Sequence, residues 1–209
     1  MVKKVLVVLG HPASDSLCAG LAEAYASGAR QAGADVRVLA LGELRFDPVL
    51  AAGFRAEQSL EPDLKRAQAE IVWAEHLVWV YPVWWGAMPA LLKGFIDRVF
   101  LPGFAFRYRK GSTAWDRLLA GRSAELLVTM DSPPWYYRWV TRMPGHVQMK
   151  RAILDFCGVG PVRVHSMGPV LGASEVRKTD WLAQARRLGE RQGVPSCERW
   201  WLLPAAWCR

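Results

Sequence analysis

Three short stretches concentrate groups that can hold a ligand. The first is "GHPASDSLCAG" (residues 10–20), where His11, Ser14 and Ser16 run straight into a helical pattern. Free amides and the positive dipole end at a helix start attract anions, and serine hydroxyls add donors. A plain serine N-cap has the same composition, so the loop is also explained by capping alone. The second is "YPVWWGAMP" (81–89). Tyr81, Trp84 and Trp85 can stack on a flat ring, and Gly86 lets the main chain approach a ligand. The competing reading is that both tryptophans plug a core or a subunit interface. The third is "TMDSPPWYYRW" (129–139), which adds Trp135, Tyr136, Tyr137 and Trp139. One anion site and two aromatic walls suit a phosphate joined to a planar ring.

That chemistry requires a scaffold that gathers the three loops. "KVLVVLG" (4–10), "DVRVLAL" (35–41), "HLVWVYP" (76–82), "RSAELLVTM" (122–130) and "GPVRVHSMG" (160–168) read as strands, several of them apolar runs of the kind buried on both faces. Helical patterns separate them, near 17–32, 62–75, 88–100 and 145–157, and a last one covers 174–191. Residues 42–61 read as irregular. In the third helix Met88, Leu91, Leu92, Phe95, Ile96, Val99 and Phe100 form one apolar face, with Pro89 at its first turn. Asp97 and Arg98 lie off that face and read as a surface or interface pair. Strand and helix alternate throughout, which predicts a three-layer α/β sandwich around a five-stranded parallel sheet. The order expected is the flavodoxin-like 2-1-3-4-5, with ligands held at the carboxyl ends of the strands. The loops after strands one, three and four are the three stretches quoted above.

Composition narrows the partners. The 209 residues are 52 % hydrophobic and 22 % charged, which suits one domain with a sizeable core. We read 1–209 as that single domain, with 192–209 as an apolar tail carrying Trp200, Trp201 and Trp207. The net charge of +8 favours anionic ligands. The basic residues fall in small groups rather than beside aromatics along a groove, which argues against nucleic acid. Arg107, Arg109 and Lys110 read as a solvated loop or as a seat for nucleotide phosphates. Cys18, Cys157, Cys197 and Cys208 show no metal or C-x-x-C spacing, so a reduced cytoplasmic protein is expected. No apolar run is long enough to span a membrane.

"HPASDSL", "FDPVL" (46–50) and above all "YPVWWGAMPALLKGFIDRVF" (81–100) resemble the NAD(P)H:quinone oxidoreductase (DT-diaphorase) family of flavoproteins. The resemblance implies a flavodoxin-like fold, a bound FMN or FAD, NADPH or NADH as electron donor, a quinone-like acceptor and a homodimer. It matches His11, Ser16, Leu17 and Cys18 to the ribityl-phosphate contact. It matches Pro82, Val83, Trp84 and Trp85 to the isoalloxazine wall, with Gly86 beside them. It matches Thr129, Met130 and Asp131 to the start of the third flavin loop. Tyr136, Tyr137 and His146 are the candidates to assist hydride transfer. Two departures stand out: Cys18 replaces a common Asn, and Asp-Ser-Pro-Pro (131–134) replaces T-G-G, removing two amide donors. The alternative from a different class is a flavin-binding accessory subunit of a membrane transport protein.

Overall fold

The computed structural model describes residues 2–193; the tail expected at 192–209 lies almost wholly outside the described residues. The chain runs β1 (Lys4–Leu9), α1 (Leu17–Gln31), β2 (Asp35–Ala40), α2 (Pro62–Trp73), β3 (His76–Pro82) and α3 (Ala90–Val99). It continues through β4 (Phe106–Tyr108), β5 (Trp115–Arg117), β6 (Ser123–Thr129), α4 (Pro134–Trp139) and α5 (Pro144–Val147). A π-helical stretch (Gln148–Asp155), β7 (Val162–Met167) and α6 (Glu175–Glu190) complete it.

Five strands form one parallel sheet in the order β2-β1-β3-β6-β7. Counted within the sheet, this is the expected 2-1-3-4-5. Side chains alternate along each strand, so each strand feeds two cores. Leu6, Val8, Leu77, Trp79 and Tyr81 pack with Leu64, Ile71, Leu92 and Phe95 of α2 and α3. Val5, Val7, Val78 and Val80 pack with Leu21, Tyr25, Trp181 and Leu188 of α1 and α6. The layer assignment therefore follows from register alone.

The sequence reading missed α4, taking 129–139 as a loop, and three further things. β4 and β5 form a small antiparallel hairpin of three-residue strands, too short for a periodic signal. The expected helix at 145–157 is split into α5 and the π-helical stretch. Arg98 is not a surface residue: its side chain is buried, and its guanidinium binds Glu61 and the carbonyls of Asp47 and Ser59. It ties α3 to the otherwise irregular 44–61 segment.

α1 and α6 touch backbone to backbone. A Cβ at Gly28 would stand 2.2 Å from the Arg186 carbonyl oxygen, and one at Gly189 would stand 2.1 Å from that of Tyr25. In an isolated helix Gly→Ala stabilises by about 1 kcal/mol. Here the clash reverses the sign, since overpacking costs about 1–3 kcal/mol and more where the obstacle is main chain. Gly28→Ala should therefore destabilise by about 2 kcal/mol in urea unfolding; a stabilised variant would refute the close crossing.

A buried polar chain closes the amino edge of the sheet. Tyr25 Oη donates to Glu125 Oε2 at 3.0 Å. Its oxygen is then the acceptor for His76 Nε2, 3.1 Å away, which leaves His76 Nδ1 to accept from Ser123 Oγ at 2.8 Å. Arg163 approaches the other Glu125 oxygen at 3.7 Å. Burial, with the nearby cations of Lys3 and Arg163, pushes the His76 imidazole down to about 3, so it is neutral at pH 7.

Candidate functional site

A cavity of ≈ 200 Å³ opens at the carboxyl ends of β1, β3 and β6. It is lined by His11, Ser16, Leu17 and Cys18 from the first loop, and by Pro82, Val83 and Trp84 from the second. Thr129, Met130, Asp131 and Val170 complete the lining. All three stretches singled out in the sequence thus meet at one mouth.

The first loop is tied by its own hydrogen bonds. Ser16 caps α1 by accepting from the Ala19 amide at 3.2 Å while donating to the Ala13 carbonyl at 3.0 Å. Its hydroxyl is therefore committed to the loop. The anion-binding capacity rests instead on the Leu17 and Cys18 amides, which as first-turn groups have no acceptor within the helix. His11 Nδ1 lies 3.0 Å from the Ala13 amide and 3.2 Å from the Ala13 carbonyl, which fixes the ring against its own loop. The His11 ring meets Trp84 edge to face, centroids 5.6 Å apart. Burial pushes the Cys18 thiol up to about 11, partly offset by its hydrogen bond with Thr129 Oγ1 at 3.3 Å. It is a neutral thiol, not a nucleophile.

The second loop turns on two residues. Trp84 and Ala87 exchange both backbone hydrogen bonds, at 2.9 and 3.0 Å, across Trp85 and Gly86, whose φ angles are +51° and +79°. This geometry throws Trp85 outward. Trp84 lines the cavity, but Trp85 is 104 % exposed and does not. The expected paired wall is thus a single indole. Tyr81 is no wall either, because strand alternation buries it fully under α3. The Val83 and Trp84 amides are used within the protein, by Thr129 and Ala87. The Trp85 and Gly86 amides are the ones the turn leaves over.

In the third loop only Thr129, Met130 and Asp131 reach the cavity. Asp131 Oδ1 accepts from the Leu171 amide at 2.9 Å, so one carboxylate oxygen braces the loop after β7. The aromatic wall expected from Trp135 to Trp139 is not there. Tyr136 is exposed at 41 %, edge to face with Trp135. Tyr137 is buried beneath the second loop: its hydroxyl donates to the Gly86 carbonyl and accepts from the Gly145 amide, both at 2.9 Å. Burial raises its pKa, so the proton stays in place. His146 packs edge to face on Tyr137, centroids 5.0 Å apart, with Nε2 2.9 Å from Ser166 Oγ. Burial lowers it to about 4, and its Nδ1 is buried without a hydrogen-bond partner. None of Tyr136, Tyr137 and His146 lines the cavity.

Val170 is the lining residue that the sequence did not flag. Its amide binds the Met130 carbonyl at 3.0 Å. β7 neighbours β6, so the strand order alone places its following loop beside the third. Among the described residues no His, Cys, Asp and Glu cluster could hold a metal ion. No helix among them is long and apolar enough to cross a membrane.

A helix N-terminus, an indole wall and a third loop converging on the carboxyl edge of a doubly wound parallel sheet define a flavodoxin-like protein. The chain belongs to the flavodoxin-like fold family, whose family model matches residues 3–190. It is 29 % identical over 152 residues to a ribosyldihydronicotinamide dehydrogenase-like protein of Penicillium crustosum, a match spanning 61 % of this chain and 57 % of that one. It is 25 % identical over 232 residues to ribosyldihydronicotinamide dehydrogenase [quinone] of Pongo abelii, covering 95 % of this chain and 97 % of the relative. It superposes on an FMN-dependent NADH-azoreductase of Bacillus anthracis, solved with FMN, at a TM-score of 0.69. That match has 16 % identity, over 92 % of this chain and all of the other, and shows a shared fold. The resemblance drawn from residues 81–100 is thereby upheld at the level of the family.

Proposed function

We propose that this chain is a flavin-dependent NAD(P)H oxidoreductase that passes two electrons from NADPH or NADH to a quinone-like acceptor. One observation carries the proposal: the cavity at the carboxyl edge joins a helix N-terminus to an indole wall. FMN is the cofactor we favour, with FAD the alternative, and the FMN complex of the azoreductase supports that choice. Bound there, a flavin supplies reversible two-electron chemistry.

The residues present fit such a group. The Leu17 and Cys18 amides would meet its phosphate, with Ser16 fixing the cap and His11 fixing Trp84. Pro82, Val83 and Trp84 would form the ring wall, with Thr129, Met130 and Asp131 beside them. The Trp85 and Gly86 amides would donate to negative charge on the ring edge. Tyr137 holds that turn through Gly86. His146, neutral and with Nδ1 unpartnered, is our candidate for handling a proton, with Tyr136 at the exposed margin as the other. We further propose a homodimer and a cytoplasmic location, the latter supported by the buried free thiols of Cys18 and Cys157.

The test is the absorption spectrum of the purified protein, followed by release of the pigment and its mass. A yellow protein that oxidises NAD(P)H with a quinone is expected. A colourless protein that takes up neither flavin would defeat the reading. Trp84→Ala should weaken FMN binding about tenfold, the loss of one aromatic contact and its burial. Unchanged affinity in a fluorescence titration would return Trp84 to a packing role.

A further inference from the structure

Taking the flavin reading above as the basis, we propose that Asp131 sets the redox poise of the site: its carboxylate disfavours the reduced flavin against the oxidised one and makes the bound group a stronger reductant. Asp131 is the one acidic side chain in the cavity lining, and among the described residues no Lys or Arg lines it. Oδ1 accepts from the Leu171 amide at 2.9 Å, which fixes the side chain in place. Among the described residues no ion pair includes this carboxylate. Arg177, in the first turn of α6, gives its guanidinium to the Gly168 carbonyl at 3.0 Å and to the Trp181 ring. Cys18 and Thr129 are bonded to each other at 3.3 Å, so neither answers the charge.

The neighbouring sequence works in the same direction. Pro133 and Pro134 follow and have no amide to offer. The third loop therefore presents a carboxylate where amide donors would have favoured negative charge. The ring of a reduced flavin carries more negative charge than the oxidised ring, and charges near it tune its potential. A like charge across a partly solvated site is worth about tenfold in an equilibrium. Both redox states share the same phosphate, so its repulsion from Asp131 cancels and the ring alone decides. The Trp85 and Gly86 amides pull the other way, and the loops after β3 and β6 set the balance between them. A lower potential extends the acceptors to weaker oxidants, which makes residue 131 a determinant of acceptor range.

Anaerobic equilibration of the FMN-loaded full chain against a dye of known potential tests this. Asp131→Asn keeps an oxygen for the Leu171 amide and removes the charge. It should raise the affinity for reduced over oxidised FMN about tenfold, which is a two-electron potential about 30 mV higher. Asp131→Ala should match it, and Asp131→Glu should stay with the parent protein. Titrations of the flavin-free protein with oxidised and with dithionite-reduced FMN should return the same ratio. A potential unmoved or lowered by Asp131→Asn would overturn the proposal. So would a shift in Asp131→Ala with none in Asp131→Asn, which assigns the side chain to bracing Leu171 alone. A protein that takes up neither FMN nor FAD would instead defeat the flavin reading itself, and the role of Asp131 with it.

Discussion

Between pH 7 and pH 5 the chain is expected to lose about 4 kcal/mol of folding stability, and about 6 kcal/mol by pH 4. The cause is two buried neutral histidines. The ordinary imidazole value is 6.5; folding lowers His76 to about 3 and His146 to about 4. Below pH 6.5 the unfolded chain takes up protons that the folded chain refuses. Their stability contribution is therefore complete above pH 6.5. It falls by about 1.4 kcal/mol per pH unit for each histidine, down to the folded values. For His76 the refusal has a structural basis: both ring nitrogens are committed, and Lys3 and Arg163 oppose a further cation. Urea unfolding at pH 7, 6 and 5 reads the slope in a window where most carboxylates stay ionised. His76→Gln should lower that slope by about 1.4 kcal/mol per pH unit whatever its own stability. A flat profile from pH 7 to 5 would show that the two rings are hydrated after all.

Arg98→Met is expected to lower stability by about 3 kcal/mol and the thermal midpoint by roughly 10 °C. Methionine keeps most of the volume, so the loss is polar rather than a void. The carbonyls of Asp47 and Ser59 lose their shared donor, and Glu61 loses its partner at 2.9 Å. Burial alone would raise the Glu61 carboxyl, but the Asp47 amide and the Arg98 guanidinium outweigh it and hold it below its ordinary value. Glu61 keeps some contact with water, which places the expected loss at the lower end for a broken buried pair. Arg98→Lys should recover only part, since a point charge cannot span a fork of acceptors. An unchanged midpoint for Arg98→Met would mean that the 44–61 segment is held by something else.

Arg98 also shows what a single sequence conceals. On a helical wheel a charged residue off the apolar stripe is assigned to water. Here its partners come from a segment about 40 residues earlier, with no period of its own. Tyr137 is hidden for the same reason: its hydroxyl serves Gly86, across a separation that no local pattern encodes. The sheet was legible because Val-rich runs such as 4–9 and 76–81 are buried on both faces, and the strand order followed from the alternation of elements. The convergence of loops on the cavity was legible because chain order fixes which loops share an edge. What failed was side-chain direction within those loops. Tryptophan composition marked the second loop, yet nothing in "VWWG" says that one indole faces in and the other out. The hairpin at 106–108 and 115–117 escaped because three residues make no alternation.

The reversal at Trp85 and Gly86 sets a trade-off. Both central residues sit on the side of backbone space that mirror-image amino acids fill without strain, and an L-tryptophan there is held at a cost of about 1 kcal/mol or more. Asn-Gly would relax the bend, but it would also remove the fully exposed indole next to Trp84. Comfort of the bend and an outward aromatic side chain thus cannot both be maximised at position 85, and the chain has settled for the indole.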